Sequence, residues 1–233
     1  MKFLKRALVA SVAALALAVG PAVSAEAAKS SFDVTKLSAN SIVVSSDSCR
    51  NIVVNMSHKR SGSIDRWKVS SGISSKGKRV SRAYFYDDDE SKRTLTDICP
   101  DMDGLGKYTI GPSDVWANTA DLVGIVDDVD PTKGYFYVRG KTYVSLSSKR
   151  SGSTVTLTSS TKYYNPEWDE KRNYNPKVKF QVKSGSKWKT LKTVTAKKGK
   201  ATYKVKSKSK KTYRVTFSQV SWATGATSKS VKR

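Results

Sequence analysis

The sequence predicts an all-β chain: two antiparallel β-sandwich domains behind a cleaved export signal. Three observations predict it. Short segments of alternating apolar and polar residues recur, among them "NIVVNMS", "RAYFYD", "GYFYVRG", "TVTLTSS", "KVKFQVKSG" and "TYRVTFSQV". Turn residues separate them at intervals that suit a sandwich. Beyond the first residues, no stretch keeps a helical period over three turns.

The segment 1–27 reads as a secretory signal. Lys2, Lys5 and Arg6 precede an uninterrupted small and apolar run from Ala7 to Val19, and "AVSAEAA" supplies small residues at cleavage spacing, after Ala25 or Ala27. The run is too short to span a bilayer, which favours a removed signal over an anchor. The mature protein is therefore expected outside the cell without a transmembrane segment, secreted and associated with the wall or matrix. Cys49 and Cys99 are its two cysteines. Export places them where a disulfide persists, so they are expected to pair, leaving no thiol nucleophile.

Charge divides the rest at Gly140. Residues 29–140 are close to neutral, whereas 141–233 carry nearly all of the formal net charge of +24. The expected units are a domain over 29–140 containing the disulfide and a strongly basic domain over 141–233. "KRSGS" occurs in both, at Lys59–Ser63 and Lys149–Ser153, each time between alternating segments. Ser-Gly marks a turn, so both copies are expected to form hairpin-like connections.

In the basic half, Val178, Phe180 and Val182 alternate with Lys177, Lys179 and Lys183, and Ala201, Tyr203 and Val205 alternate with Lys200, Lys204 and Lys206. "KWKTLKTVTA" breaks the alternation, because Trp188, Leu191 and Val194 differ in parity if all point inward; a bulge is expected there. About seven strands over this length suit a sandwich. The stretch "PKVKFQVKSGSKWKTLKTVTAKKGKATYKVKSKSKKTYRVTF" resembles the bacterial immunoglobulin-like modules of secreted actinobacterial proteins, over residues 141–233. That resemblance implies an extracellular, non-catalytic module and names no substrate.

Alternation accounts for the outward lysines but not for the near absence of acids around them. Solvated faces ordinarily mix both signs, and like charges at this density repel. Lys177, Lys179, Lys183, Lys204, Lys206, Lys208, Lys210 and Lys211 are accordingly the candidates for binding a polyanion. The expected partner is an anionic wall polymer or another extracellular polyanion, with sequence-independent nucleic-acid binding and an anionic membrane surface as related cases. A second candidate surface is "KYYNPEWDEKRNYNP", whose Tyr163, Tyr164, Trp168 and Tyr174 lie among prolines and charges and are expected on a loop, either exposed for contact or folded back onto the sandwich.

Catalysis is not indicated. His58 is the one histidine, expected on an exposed turn, and neither a phosphate-cradling loop nor zinc-ligand spacing occurs. No cofactor is expected, calcium being the one ion the acidic clusters admit. Asp87, Asp88 and Asp89, and Asp101 and Asp103, are the candidates, and "DDVD" at Asp127–Asp130 is a third cluster. They define a rival reading, a calcium-dependent binding module, because sequential aspartates in a turn can supply several oxygen ligands. An extracellular hydrolase ranks third.

Overall fold

The computed structural model describes residues 30–88, 92–120 and 125–233. The segment 1–27, expected as a signal, and Asp89 lie outside the described residues. No helix among those described is long and apolar enough to cross a membrane.

The first half contains β1 (Ser31–Ala39), β2 (Ile42–Val44), β3 (Arg50–Ser61), β4 (Ile64–Ser75), β5 (Lys78–Tyr86), β6 (Arg93–Ile98), the helical turn α1 (Pro100–Asp103), β7 (Gly106–Thr119), β8 (Ile125–Asp130) and β9 (Gly134–Gly140). One sheet runs β1-β3-β6; the other runs β2-β9-β7-β4-β5, with β8 also paired to β7. Pairing is antiparallel except between β2 and β9, which run parallel. That exception to an all-antiparallel expectation arises because the chain crosses from one sheet to the other after Ala39, and β2 then joins the free edge of β9. Between the sheets lie Trp67, Val69, Phe85, Tyr108, Ile110 and Phe136, all buried. The Tyr108 hydroxyl donates to the Gly104 carbonyl at 2.6 Å, which satisfies the one polar atom of that side chain.

The second half contains β10 (Thr142–Ser151), β11 (Thr154–Asn165), a 3-10 turn (Pro166–Trp168), β12 (Glu170–Asn173), β13 (Lys177–Ser184), β14 (Lys187–Thr195), β15 (Lys200–Lys206), β16 (Thr212–Phe217), β17 (Ala226–Thr227) and β18 (Val231–Lys232). Here β10-β11-β15 face β14-β13-β16, with β12 added to β11 and both β17 and β18 to β16. Two immunoglobulin-like sandwiches therefore follow one another. The second core forms as the alternation requires: Val178, Phe180, Val215 and Phe217 are buried, and Phe180 pairs with Val215 across the sheet. Burying a side chain of that size stabilises the fold by roughly 1.5–3 kcal/mol.

The expected bulge is present at Leu191. Phe180 pairs with Lys192 and Gln181 with Thr190, which leaves Leu191 unpaired and packed on the core. Trp188, expected inward, instead pairs with Lys183 on the outer face, its ring 4.1 Å from the Arg214 guanidinium. The two "KRSGS" copies differ. Ser151 and Thr154 pair across a tight hairpin with Gly152 at φ 54°, whereas β3 and β4 belong to different sheets, so Gly62, at φ 73°, carries the chain from one sheet to the other. The same pentapeptide thus serves two connections.

Cys49 and Cys99 form a disulfide, with Cα atoms 4.0 Å apart. Arg50 faces Ile98 in the β3–β6 pairing, and the cysteines are the next facing pair beyond it. The bridge therefore ties neighbouring strands of one sheet rather than the two sheets to each other.

His58 is not on a turn. It lies on β3, half-buried, stacked on Phe32 at 4.7 Å and tilted against Trp67 at 4.9 Å. Its Nδ1 is buried without a hydrogen-bond partner. Burial, with the charges of Lys92 and Arg60 adding to it, holds the imidazole below its usual value. The folded state prefers the neutral ring, while the unfolded chain takes up a proton near pH 6.5. Stability from this group is present above that pH and lost as pH falls below it. Melting temperature is expected to decline between about pH 7 and 5 in the wild type and less in His58→Phe, which keeps the stacked ring. Parallel profiles for the two proteins would remove the effect.

Candidate functional site

The eight lysines proposed from sequence do not share one surface. Lys204 and Lys206 stand on the outer face of β15, opposite Thr156 and Thr154 of β11. Lys177 and Lys179 stand on the outer face of β13, across the sandwich. Lys208 is exposed on the β15–β16 loop. Lys183, Lys210 and Lys211 do come together, joined by Lys189, in a groove of about 620 Å³ between the β13–β14 hairpin and the β15–β16 loop. Val182, Leu191 and Thr212, with Ser184, Gly185 and Ser209, complete its lining, and no carboxylate is among the residues that form it.

Lys189 was not anticipated. It pairs with the inward Val182 yet is exposed, because the Leu191 bulge shifts the parity of β14 at the sheet edge. The β15–β16 loop is held in place by Arg150 of β10, whose Nη1 donates to the Ser207 carbonyl at 2.6 Å and whose Nη2 donates to Ser209 at 3.0 Å. Lys211 and Arg233 exchange backbone hydrogen bonds of 2.7 and 2.9 Å, closing the far side of the same end. The groove thus lies where a hairpin end meets a loop whose backbone is held by hydrogen bonds.

The acids of the second sandwich sit at its other end. Glu167, Asp169 and Glu170 all lie on or beside the 3-10 turn next to the first sandwich. Asp169 accepts a hydrogen bond from Tyr164 at 2.6 Å, and Glu170 pairs with Arg172 at 2.6 Å. Charge is therefore segregated along the molecule, with the groove at the acid-free tip.

The aromatic candidates resolve differently from a contact loop. Tyr163 and Tyr164 belong to β11 itself. Tyr164 is buried in the first core, although it comes from the second half of the chain, and burial together with Asp169 raises its phenol well above the usual value. Tyr174 is also buried, edge-on to Phe217 and Trp222 at 5.6 and 5.1 Å, with Tyr163 against Trp222 at 5.0 Å. Tyr164 and Tyr174 are taken up by packing, while Tyr163 and Trp222 are only partly buried and border the cleft beside the junction. Trp168 alone of the four is open to solvent, at 59% exposure, with the Arg172 guanidinium 5.0 Å away.

The junction is also hydrogen-bonded. Lys141 donates to the Val44 carbonyl at 2.9 Å, Tyr164 to Lys141 at 2.8 Å and Gly140 to Trp222 at 3.0 Å. A side chain at Gly140 would collide with the Tyr164 carbonyl, so glycine is required there. Beside the joint lies a cleft of about 1170 Å³ with Lys76, Arg79, Asp101, Glu167, Tyr163 and Trp222 on its walls. Its lining mixes Lys76, Lys78, Arg79 and Lys107 with Asp101, Asp103 and Glu167.

The acidic clusters do not converge either. Asp103 accepts the Cys99 N–H at 2.9 Å and so closes the α1 turn; Asp130 of β8 accepts from Val34 and Thr132, both at 2.8 Å. These carboxylates are occupied in holding backbone. Among the described residues, the group of potential metal ligands found within mutual reach is Cys49, Cys99 and Asp101, whose two sulfurs are in the disulfide. Asp87 and Asp88 lie on an exposed turn after β5.

No family model matches this chain, and no curated protein matches its sequence. Among solved structures, it is similar to the fibronectin(III)-like modules of Clostridium thermocellum CbhA, over 87% of this chain and 91% of that one, at 11% identity and a TM-score of 0.34. The D0-D1 domain of intimin covers 85% of this chain and 97% of its own, at 19% identity and a TM-score of 0.27. The D00-D0 domain of intimin covers 87% and 98%, at 15% identity and a TM-score of 0.27. The strand pairings, rather than these likenesses, define the fold.

Proposed function

We propose that this is a secreted, non-enzymatic protein that binds anionic polymers of the cell envelope or matrix through the groove at the tip of its C-terminal sandwich. In this reading, 29–140 and 141–233 are two units, and the first, locked to the second at the Tyr164 joint, holds the basic tip away from its own carboxylates. The observation that carries the proposal is the convergence of Lys183, Lys189, Lys210 and Lys211 with no carboxylate in the groove lining, while Glu167, Asp169 and Glu170 lie at the opposite end. Four like charges gathered in that way repel one another and lower stability, and a polyanion relieves the repulsion. The signal segment supports an extracellular site of action, where anionic wall polymers lie. His58, wedged between Phe32 and Trp67, is placed for packing rather than for proton transfer.

The test is capture of the mature protein by a phosphate-rich wall polymer and by duplex DNA over a series of salt concentrations. Binding to both is expected, with affinity falling steeply as salt rises, because each neutralised phosphate releases a counterion. Absence of binding at low salt, or binding indifferent to salt, would overturn the proposal.

A further inference from the structure

The outer face of the first sandwich carries an aromatic array that the polyanion reading does not use. On β5, the alternation that buries Ala83 and Phe85 turns Tyr84 and Tyr86 outward. On β7, the alternation that buries Val115 and Ala117 turns Trp116 outward. The three rings remain 43%, 43% and 44% exposed. Strand pairing sets them in rows. Tyr86 faces Lys68 of β4, Lys68 faces Trp116, and Trp116 faces Asp127 of β8; beside this row run Tyr84, Ser70, Asp114 and Val129.

The polar groups between the rings are fixed. Arg82 Nη1 donates to Ser70 at 2.6 Å and to Asp114 at 2.7 Å. The Lys68 ammonium lies 5.3 Å from the Tyr84 ring and 5.8 Å from the Tyr86 ring. A shallow depression of about 310 Å³ runs among Lys68, Arg82, Tyr84, Asp114, Trp116 and Asp127. Two cations and two carboxylates balance, so this surface presents no net field to a charged polymer.

From this arrangement we infer that the sheet face β5-β4-β7 is a binding platform for a neutral, β-1,4-linked polysaccharide. Three physical features select that ligand. The face of a β-pyranose presents axial C–H groups of partial positive charge, which complement the negative face of an aromatic ring. Its rim presents hydroxyls that both donate and accept, matching the fixed Arg82, Ser70 and Asp114 and the ammonium of Lys68 beside the tyrosine rings. Lastly, neighbouring strands lie about 4.8 Å apart, close to the rise per sugar of an extended β-1,4-linked chain. A chain laid across the strands would set one sugar at Tyr86 and the next but one at Trp116, with Lys68 beneath the sugar between them.

The test is calorimetric titration of the mature protein with cellohexaose, xylohexaose, mannohexaose and chitohexaose, with maltohexaose as the coiled α-linked control. At least one β-linked chain is expected to bind, with affinity unchanged within about twofold from 50 to 500 mM salt, since no ion pair is broken. Trp116→Ala and Tyr86→Ala are each expected to weaken binding at least tenfold while the far-ultraviolet circular dichroism stays at the wild-type profile and the melting temperature remains above the assay temperature, both residues lying on the outer face. Replacing the groove lysines is expected to leave glycan binding intact, which separates this inference from the polyanion proposal. It is overturned if no β-linked hexaose binds, if maltohexaose binds as well, or if binding survives both aromatic substitutions. Self-association abolished by Trp116→Ala, without glycan binding, would likewise overturn it and make the face a contact between copies.

Discussion

Replacing Lys183, Lys189, Lys210 and Lys211 together by Gln is expected to flatten the salt dependence of DNA binding. If all four contact phosphates, the slope of log affinity against log salt falls by about 3–4 units, at close to 0.9 per contact. Affinity at low salt should fall more than tenfold, and capture by the wall polymer should weaken with it. Folding should survive, because each substitution is at an exposed position and changes stability by no more than about 0.5 kcal/mol; relief of repulsion even favours the variant. A second variant with Lys149, Lys200, Lys204 and Lys206 replaced removes the same charge from the outer face of β10 and β15. It is expected to lower the slope less, because those side chains are spread over an open sheet instead of converging. Equal losses in the two variants would show that attraction follows net charge alone and that the groove is not a site.

Replacing Cys49 and Cys99 by Ser is expected to be the most destabilising of the changes considered. The bridge closes a loop with a sequence separation of 50. Opening it restores chain entropy to the unfolded state worth about 4 kcal/mol, less any strain the native bond carries. That corresponds to roughly a thousandfold shift in the folding equilibrium at 25 °C. The loss should appear as a lower urea midpoint, and reduction of the wild type should reproduce it. Because the bond ties β3 to β6 at their ends, the pairing beyond Arg50 and Ile98 should persist in the native state, so glycan and polyanion binding should remain below the new midpoint. An unchanged midpoint, or alkylatable thiols in the folded wild-type protein, would refute the role of this bond.

Most of the strands were legible because their information is local. A period of two decides which side chains of "KVKFQVKS", "KATYKVK" and "TYRVTF" face inward, and the structure buries Val178, Phe180, Ala201, Tyr213 and Val215 as that period requires. The bulge in β14 was legible for the same reason, since a parity change cannot be absorbed without an extra residue. The facing of Tyr84 and Tyr86 away from Phe85 is equally local.

Tertiary structure decided everything that depends on which strands become neighbours. Nothing within "KRSGS" distinguishes a hairpin from a crossing between sheets; the partners of β3 and β4 do. Tyr164 is buried because β11 extends past its own sandwich into the first core, and an Asn-Pro context among charges had offered contact and packing alike. Lys183, Lys189, Lys210 and Lys211 share a groove only because the β13–β14 hairpin and the β15–β16 loop end side by side, and Trp116 meets Tyr86 only through Lys68 on the strand between them. Along the chain, then, the sequence determined by itself that Lys177, Lys179, Lys204 and Lys206 would face water. Which of them would share one surface was settled by pairing between distant segments, because a side chain's direction follows from its own backbone whereas its company follows from the sheet.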